Sequence, residues 1–177
     1  MDSARRALGL ADDAVFAIER LFLIAVTGVI TVLVVAGVVF RYLFNDPLTW
    51  SEELIVGLFT WLVFIGAAIG VRAHAHIRID VMAPVYANPK MHWLNLVTLL
   101  VGLAVLGLMI YACWTQVMLE AVVDLPMLDI SKAWFLSAMP VGLVFMVLHA
   151  LRIWVDRGAA AVFRGDIETV IEEELGK

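Results

Sequence analysis

Apolar and polar positions along this chain fall into long blocks. Four blocks contain no Asp, Glu, Lys or Arg: residues 21–40, 54–71, 93–119 and 133–151. Each reaches the roughly 18–20 residues that a helix needs to cross a hydrocarbon core. The third, at about 1.5 Å per residue, is roughly 40 Å long and is expected to tilt or project. The pattern predicts an all-α integral membrane protein with four transmembrane helices. All 177 residues form one membrane domain, with no internal repeat, low-complexity tract or soluble domain.

The polar segments refine the spans. Residues 4–18 place Leu8, Ala11, Val15 and Ile18 at helical spacing, which predicts an interfacial helix leading into the first span. In that span Thr27 and Thr31 lie one turn apart, near Gly28 and Gly37, the kind of small or hydroxyl residues found where helices meet. Pro47 stops the element before the second span. Thr49 is then a suitable N-cap, with Glu52 completing a capping box and Glu53 beside it in the first turn. Trp61 lies mid-span, too deep for an interfacial belt, and its N–H wants a partner. Gly66 and Gly70 make a small-xxx-small pattern. Arg72, His74, His76 and Arg78 mark the exit from the bilayer. Pro84 and Pro89 suit a short extended second loop, and Pro140 is expected to kink the fourth span. Residues 159–177 form an acidic tail in which Ile167, Val170, Ile171 and Leu175 suit a short amphipathic helix.

Composition agrees: 63% of residues are hydrophobic and the mean hydropathy is +0.97. The net charge of −5 says little about orientation, which Lys and Arg set. Ten of the twelve basic residues lie in the N-terminal tail, second loop and C-terminal tail; only Arg41 and Lys132 lie in the first and third loops. That asymmetry predicts both termini in the cytoplasm. The first apolar run has full spanning length and follows Asp12, Asp13, Glu19 and Arg20, so a cleaved secretory signal is not expected. Cys113, the one cysteine, reads as a small apolar packing residue.

Candidate chemistry is sparse. His74, His76, His92 and His149 would all lie towards the cytoplasmic side, which leaves open a haem- or quinone-linked membrane anchor of a respiratory enzyme as the alternative reading. No histidine pair has a characteristic spacing within a span. No nucleophile elbow, phosphate-cradling loop or metalloprotease motif is present, so neither an enzyme nor a cofactor is expected. Secondary transporters place substrate and ion sites near the midplane, using broken helices or intramembrane charges. Four spans without Asp, Glu, Lys or Arg suit a scaffold beside such a machine better than the machine itself.

Arg41-Tyr42-x-Phe44, Trp50-x-Glu52-Glu53, Trp61, Gly66-Ala67-Ala68, Arg72 and His76-Ile77-x-Ile79-Asp80, in that order, resemble the small membrane (Q-type) subunit of TRAP, the tripartite ATP-independent periplasmic transporters. The motif-bearing part covers about forty residues; chain length and four spans extend the similarity. The resemblance implies an accessory subunit of a sodium-coupled, binding-protein-dependent secondary importer of organic acids in the bacterial inner membrane. It implies a large multi-span subunit that carries the solute, a periplasmic substrate-binding protein, contact with membrane lipids and none with nucleic acid. Residues expected to meet a partner are Arg41, Tyr42, Trp50, Glu52, Glu53, Trp61, Gly66, Gly70, Arg72 and His76.

Overall fold

In a computed structural model, residues 2–73 and 92–157 are described. Helix α1 (Asp2–Val39) runs into a π-helical turn, Phe40–Phe44; α2 spans Thr49–Arg72; α3 (His92–Leu119) ends in a 3₁₀ turn, Glu120–Val122; a single turn, α4 (Ala133–Leu136), precedes α5 (Ala138–Arg157). Four helical segments are long and apolar enough to cross a membrane. The protein is therefore all-α, and the isolated bridge between Asp124 and Ser131 is the strand-like feature of the third loop.

Hydrocarbon offers the backbone no partners, so an apolar run of this length satisfies its N–H and C=O groups internally as helix. The mid-span hydroxyls follow the same rule. Thr31 donates to the Thr27 carbonyl at 2.8 Å, Thr60 to Val56 at 3.0 Å and Thr115 to Tyr111 at 3.0 Å. Each is spent on its own helix rather than offered to a ligand.

The helix ends show where local signals were misread. The first helix stops at Asn45, which takes a left-handed φ of 52° two residues before Pro47; the short polar side chain of Asn tolerates that conformation. Thr49 makes no capping bond and already lies inside α2, whose preceding residue is Leu48. Glu52 does not reach back to close a capping box, because it is drawn to Arg41. Pro140 acts as expected. It lacks the N–H that would bond the Leu136 carbonyl, and the helix breaks at Ser137, between α4 and α5. The hydroxyl of Ser137 turns back to the Trp134 carbonyl at 2.7 Å. Residues 4–18 are helical and continue without a break into the first span.

Helix α5 is the hub: it packs on α1, α2 and α3, while α2 also packs on α1. The buried apolar core follows this plan, with Val26 from α1, Ile65 and Ala68 from α2, Leu99 and Val117 from α3, and Ala138, Leu143 and Ala150 from α5. Two glycines mark tight approaches: an added Cβ at Gly57 in α2 would run into the Phe135 ring of α4, and one at Gly142 in α5 would sit 2.7 Å from both the Cβ and the carbonyl oxygen of Phe64 in α2. The outward faces of α1 and α3 are apolar, with Val32, Val35, Leu100 and Leu108 exposed. Such faces suit lipid tails or another membrane helix.

Candidate functional site

The polar side chains gather at the two ends of α2. At its start, Arg41 on the π-helical turn pairs with Glu52, both largely exposed. Ser51 is buried, and its hydroxyl donates to the Leu48 carbonyl at 2.6 Å. Glu53 reaches across to the third loop, accepting the backbone N–H groups of Met127 at 3.1 Å and Leu128 at 3.2 Å. In that loop Lys132 pairs with Glu120 at 3.0 Å, and Asp129 takes a φ of 53°. One carboxylate thus fastens a turn 74 residues away to the first turn of α2. Beneath the loop lies an open cleft of about 340 Å³, lined by Val56, Gly57, Phe135 and Leu136 with Glu53 and Lys132 on its rim. Tyr42 and Trp50 project outward near this end.

At the finish of α2 the structure assembles a cluster that the spacing of residues did not reveal. Arg72 donates to the Asp12 carbonyl at 3.0 Å and to the Asp13 carboxylate at 2.7 Å, and approaches the Asp12 carboxylate at 3.2 Å. Its guanidinium also lies 4.0 Å from the centre of the Phe16 ring. From α5, Arg152 bonds Asp12, and Asp13 at 2.9 Å, together with the Gly9 carbonyl at 3.1 Å. The His149 ring is wholly buried. Its Nδ1 faces Asp12 Oδ1 at 2.5 Å and its Nε2 faces Glu19 Oε2 at 3.1 Å. Charges taken out of water must be paired and hydrogen-bonded; here three helices supply one another's partners. The available signal was positional. Asp12 and Glu19 stand seven residues apart, two turns on one face, and His149 and Arg152 stand three apart.

The other expected partner-contact residues are spread between these ends. Trp61 is half-buried and meets Phe22 of α1 edge to face at 5.8 Å. Gly66 also turns towards α1, with Leu23 at 3.8 Å from where a Cβ would stand, which is ordinary contact rather than a tight fit. Gly70 is half-buried near the end of α2. His74 and His76 lie outside the described residues. Of the ten positions, the structure brings together Arg41 with Glu52, and sets Glu53 and Arg72 as anchors inside the chain itself. Both ring nitrogens of His149 are already engaged by carboxylates, which leaves neither for haem iron.

Sequence comparison gives these features a setting. The small permease protein of a sialic acid TRAP transporter from Vibrio cholerae is 32% identical over 111 residues, 63% of this chain and 64% of the relative. The small permease protein of a C4-dicarboxylate TRAP transporter from the same organism is 43% identical over 65 residues, 37% of this chain and 28% of the relative. A sialic acid TRAP transporter permease protein from Haemophilus influenzae is 27% identical over 130 residues, 73% of this chain but 20% of the relative. The chain thus spans less than two thirds of the length of these curated relatives. The sequence profile of the DctQ component matches residues 30–158. That stretch takes in all of α2, α3, α4 and α5, and the chain belongs to the DctQ component family of the tripartite ATP-independent periplasmic transporters.

Proposed function

We propose that this chain is the small, non-catalytic membrane subunit of a binding-protein-dependent secondary importer, a fixed support for a larger subunit that carries the solute. The carrying observation is where the described polar groups lie. The charged side chains sit at the two ends of the helices and are used in holding the chain together, while the mid-span hydroxyls bond their own backbones. Among the described residues no Asp, Glu, Lys, Arg or His stands at the middle of a span, where a carrier holds its substrate and coupling ion. Family membership supports a partner, and the H. influenzae relative supports the same reading: a stretch similar to this chain makes up 20% of a single permease protein.

The finer reading rests on the family and on the names of relatives that handle C4-dicarboxylates and sialic acid. The cargo is an organic acid, the driving ion is sodium, and a periplasmic protein delivers the solute. The subunit lies in the inner membrane with both termini in the cytoplasm, so that the Arg41–Glu52 pair and the loop held by Glu53 face the delivering protein. Outward Tyr42 and Trp50, with Arg41 and Glu52, are the residues offered to partners at that side; Trp61, Gly66 and Gly70 are committed to α1 or half-buried, and contribute by shaping α2. A tagged copy expressed with the large subunit of its transporter should purify as a complex of fixed stoichiometry. Recovery of the chain free of that subunit, from membranes where both are abundant, would overturn the assignment.

A further inference from the structure

We propose that Asp12, Glu19 and His149 form a buried proton-binding site, and that the bound proton fastens the first half of α1 onto α5. The site is distinct from any surface the small-subunit reading requires, and rests on a count of hydrogens. Two nitrogen–oxygen contacts flank the imidazole, Nδ1 to Asp12 at 2.5 Å and Nε2 to Glu19 at 3.1 Å. Each needs one hydrogen between its atoms. A neutral imidazole carries one, and two carboxylates carry none. The triad therefore holds a second proton, on the ring or on a carboxyl oxygen.

The surrounding charge accommodates the same proton. From α1 come Asp12, Asp13 and Glu19; from α2, Arg72; from α5, Arg152 and His149. Helix α3, also packed on α5, has no Asp, Glu, Lys or Arg, and its one histidine, His92, is its first residue. Among the described residues these are three acids and two arginines, of which Asp13 is 56% exposed, so a single extra proton on the triad brings no excess of positive charge. His149, Asp12 and Glu19 are each no more than 2% exposed, so water cannot offset an imbalance.

The two carboxylates are not equivalent. Asp12 has one oxygen on His149 and the other on Arg152 and Arg72, so both its oxygens are engaged. Glu19 has one oxygen on His149, while its Oε1 is buried with no partner. Glu19 is thus the weakly held arm, and the route by which the proton leaves is the Nε2–Glu19 contact. Deprotonation sets a carboxylate oxygen against a lone pair at 3.1 Å and loosens α1 from α5 at Glu19, while Arg152 still holds Asp12, Asp13 and Gly9.

Glutamine at position 19 separates this from a merely structural cluster. In Glu19→Gln the amide N–H donates to Nε2, Nδ1–H donates to Asp12, and two acids balance two arginines with a neutral ring. Every contact survives without the extra proton. The test is hydrogen exchange of the α1 amides around residues 12–19 in the full chain in lipid nanodiscs, corrected for intrinsic base catalysis, from about pH 6 to about pH 9, which brackets the range where an ordinary histidine sheds its proton. Wild-type protection should fall roughly tenfold or more across that range, as linkage requires of a folded state that binds a proton the unfolded chain releases. In Glu19→Gln protection should stay level within about twofold. The melting temperature offers an independent reading: that of the wild type should drop as pH rises and that of the variant should drop less, whatever its absolute value. Level wild-type protection, or a variant that loses protection in parallel with wild type, would overturn the proposal.

Discussion

Two alanine substitutions separate the close approaches in this fold from glycines that only look like them in sequence. At Gly142 a Cβ would meet the Cβ and carbonyl oxygen of Phe64 at 2.7 Å. Reaching an ordinary contact of 3.4 Å requires the two helices to part by about 0.7 Å, the difference between those distances. The obstacle is largely backbone, so no rotamer change relieves it. Overpacking of this kind typically costs about 1–3 kcal/mol. For a chain of this length each kcal/mol lowers the melting temperature by roughly 2–4 °C. Gly142→Ala should therefore melt several degrees below wild type in detergent, with α2 and α5 loosened together. At Gly66 the new methyl meets only Leu23 at 3.8 Å. Removing a helix-interior glycine is worth up to about 1 kcal/mol, so Gly66→Ala should melt at or above the wild-type temperature. Thermal unfolding of both variants, followed by loss of the monodisperse peak, checks the pair. A Gly142→Ala protein as stable as wild type, or a Gly66→Ala protein that is the weaker of the two, would refute the packing argument.

Other consequences are as direct. Arg152→Ala removes one partner of buried Asp12, which keeps Arg72 and His149, and should cost roughly 1.5–3 kcal/mol, seen as a loss of folded protein; Arg41→Ala breaks a pair that is more than half exposed on both sides and should cost less than about 1 kcal/mol in the same assay. Glu53→Ala leaves the Met127 and Leu128 N–H groups without their acceptor, a loss of about 1.5–3 kcal/mol for bonds to a charged group. Limited proteolysis should then cut the 123–132 loop faster while leaving the spans intact. In a Cys113→Ala background, an impermeant thiol reagent added to intact cells should label Asp46→Cys and Asp129→Cys but not Ala87→Cys; labelling of the last alone would reverse the orientation.

What the chain discloses about itself depends on the range of the forces involved. Span number and type come from single-residue hydropathy, so four charge-free runs sufficed, and Pro140 marked its own break because its missing N–H acts one turn away. The capping box at Thr49 failed because a competing partner, Arg41, lay eleven residues back across a turn whose shape Asn45 sets. Residues 4–18 looked amphipathic and suited to a membrane surface. Asp12 and Glu19 on that helix are instead buried against groups about 130 residues away, a pairing that periodicity within one helix does not encode. Glycine spacing likewise does not say which helix a glycine meets. Gly66, in a pattern with Gly70, meets only Leu23 at ordinary contact, whereas Gly57 meets the Phe135 ring and Gly142, four residues after Ala138, meets the backbone of Phe64 on another helix. Arg72 was rightly singled out as an end marker, but its role as the α2 member of an ionic cluster needed the fold.

The central claim is that this chain supports transport without carrying solute, and reconstitution tests it most directly. Purified alone into liposomes and given an inward sodium gradient, the chain should accumulate no organic acid above protein-free vesicles. Addition of its large membrane subunit in the same bilayer and of the periplasmic binding protein outside should produce sodium-driven uptake. Solute-specific, sodium-driven accumulation by this chain alone would contradict the account.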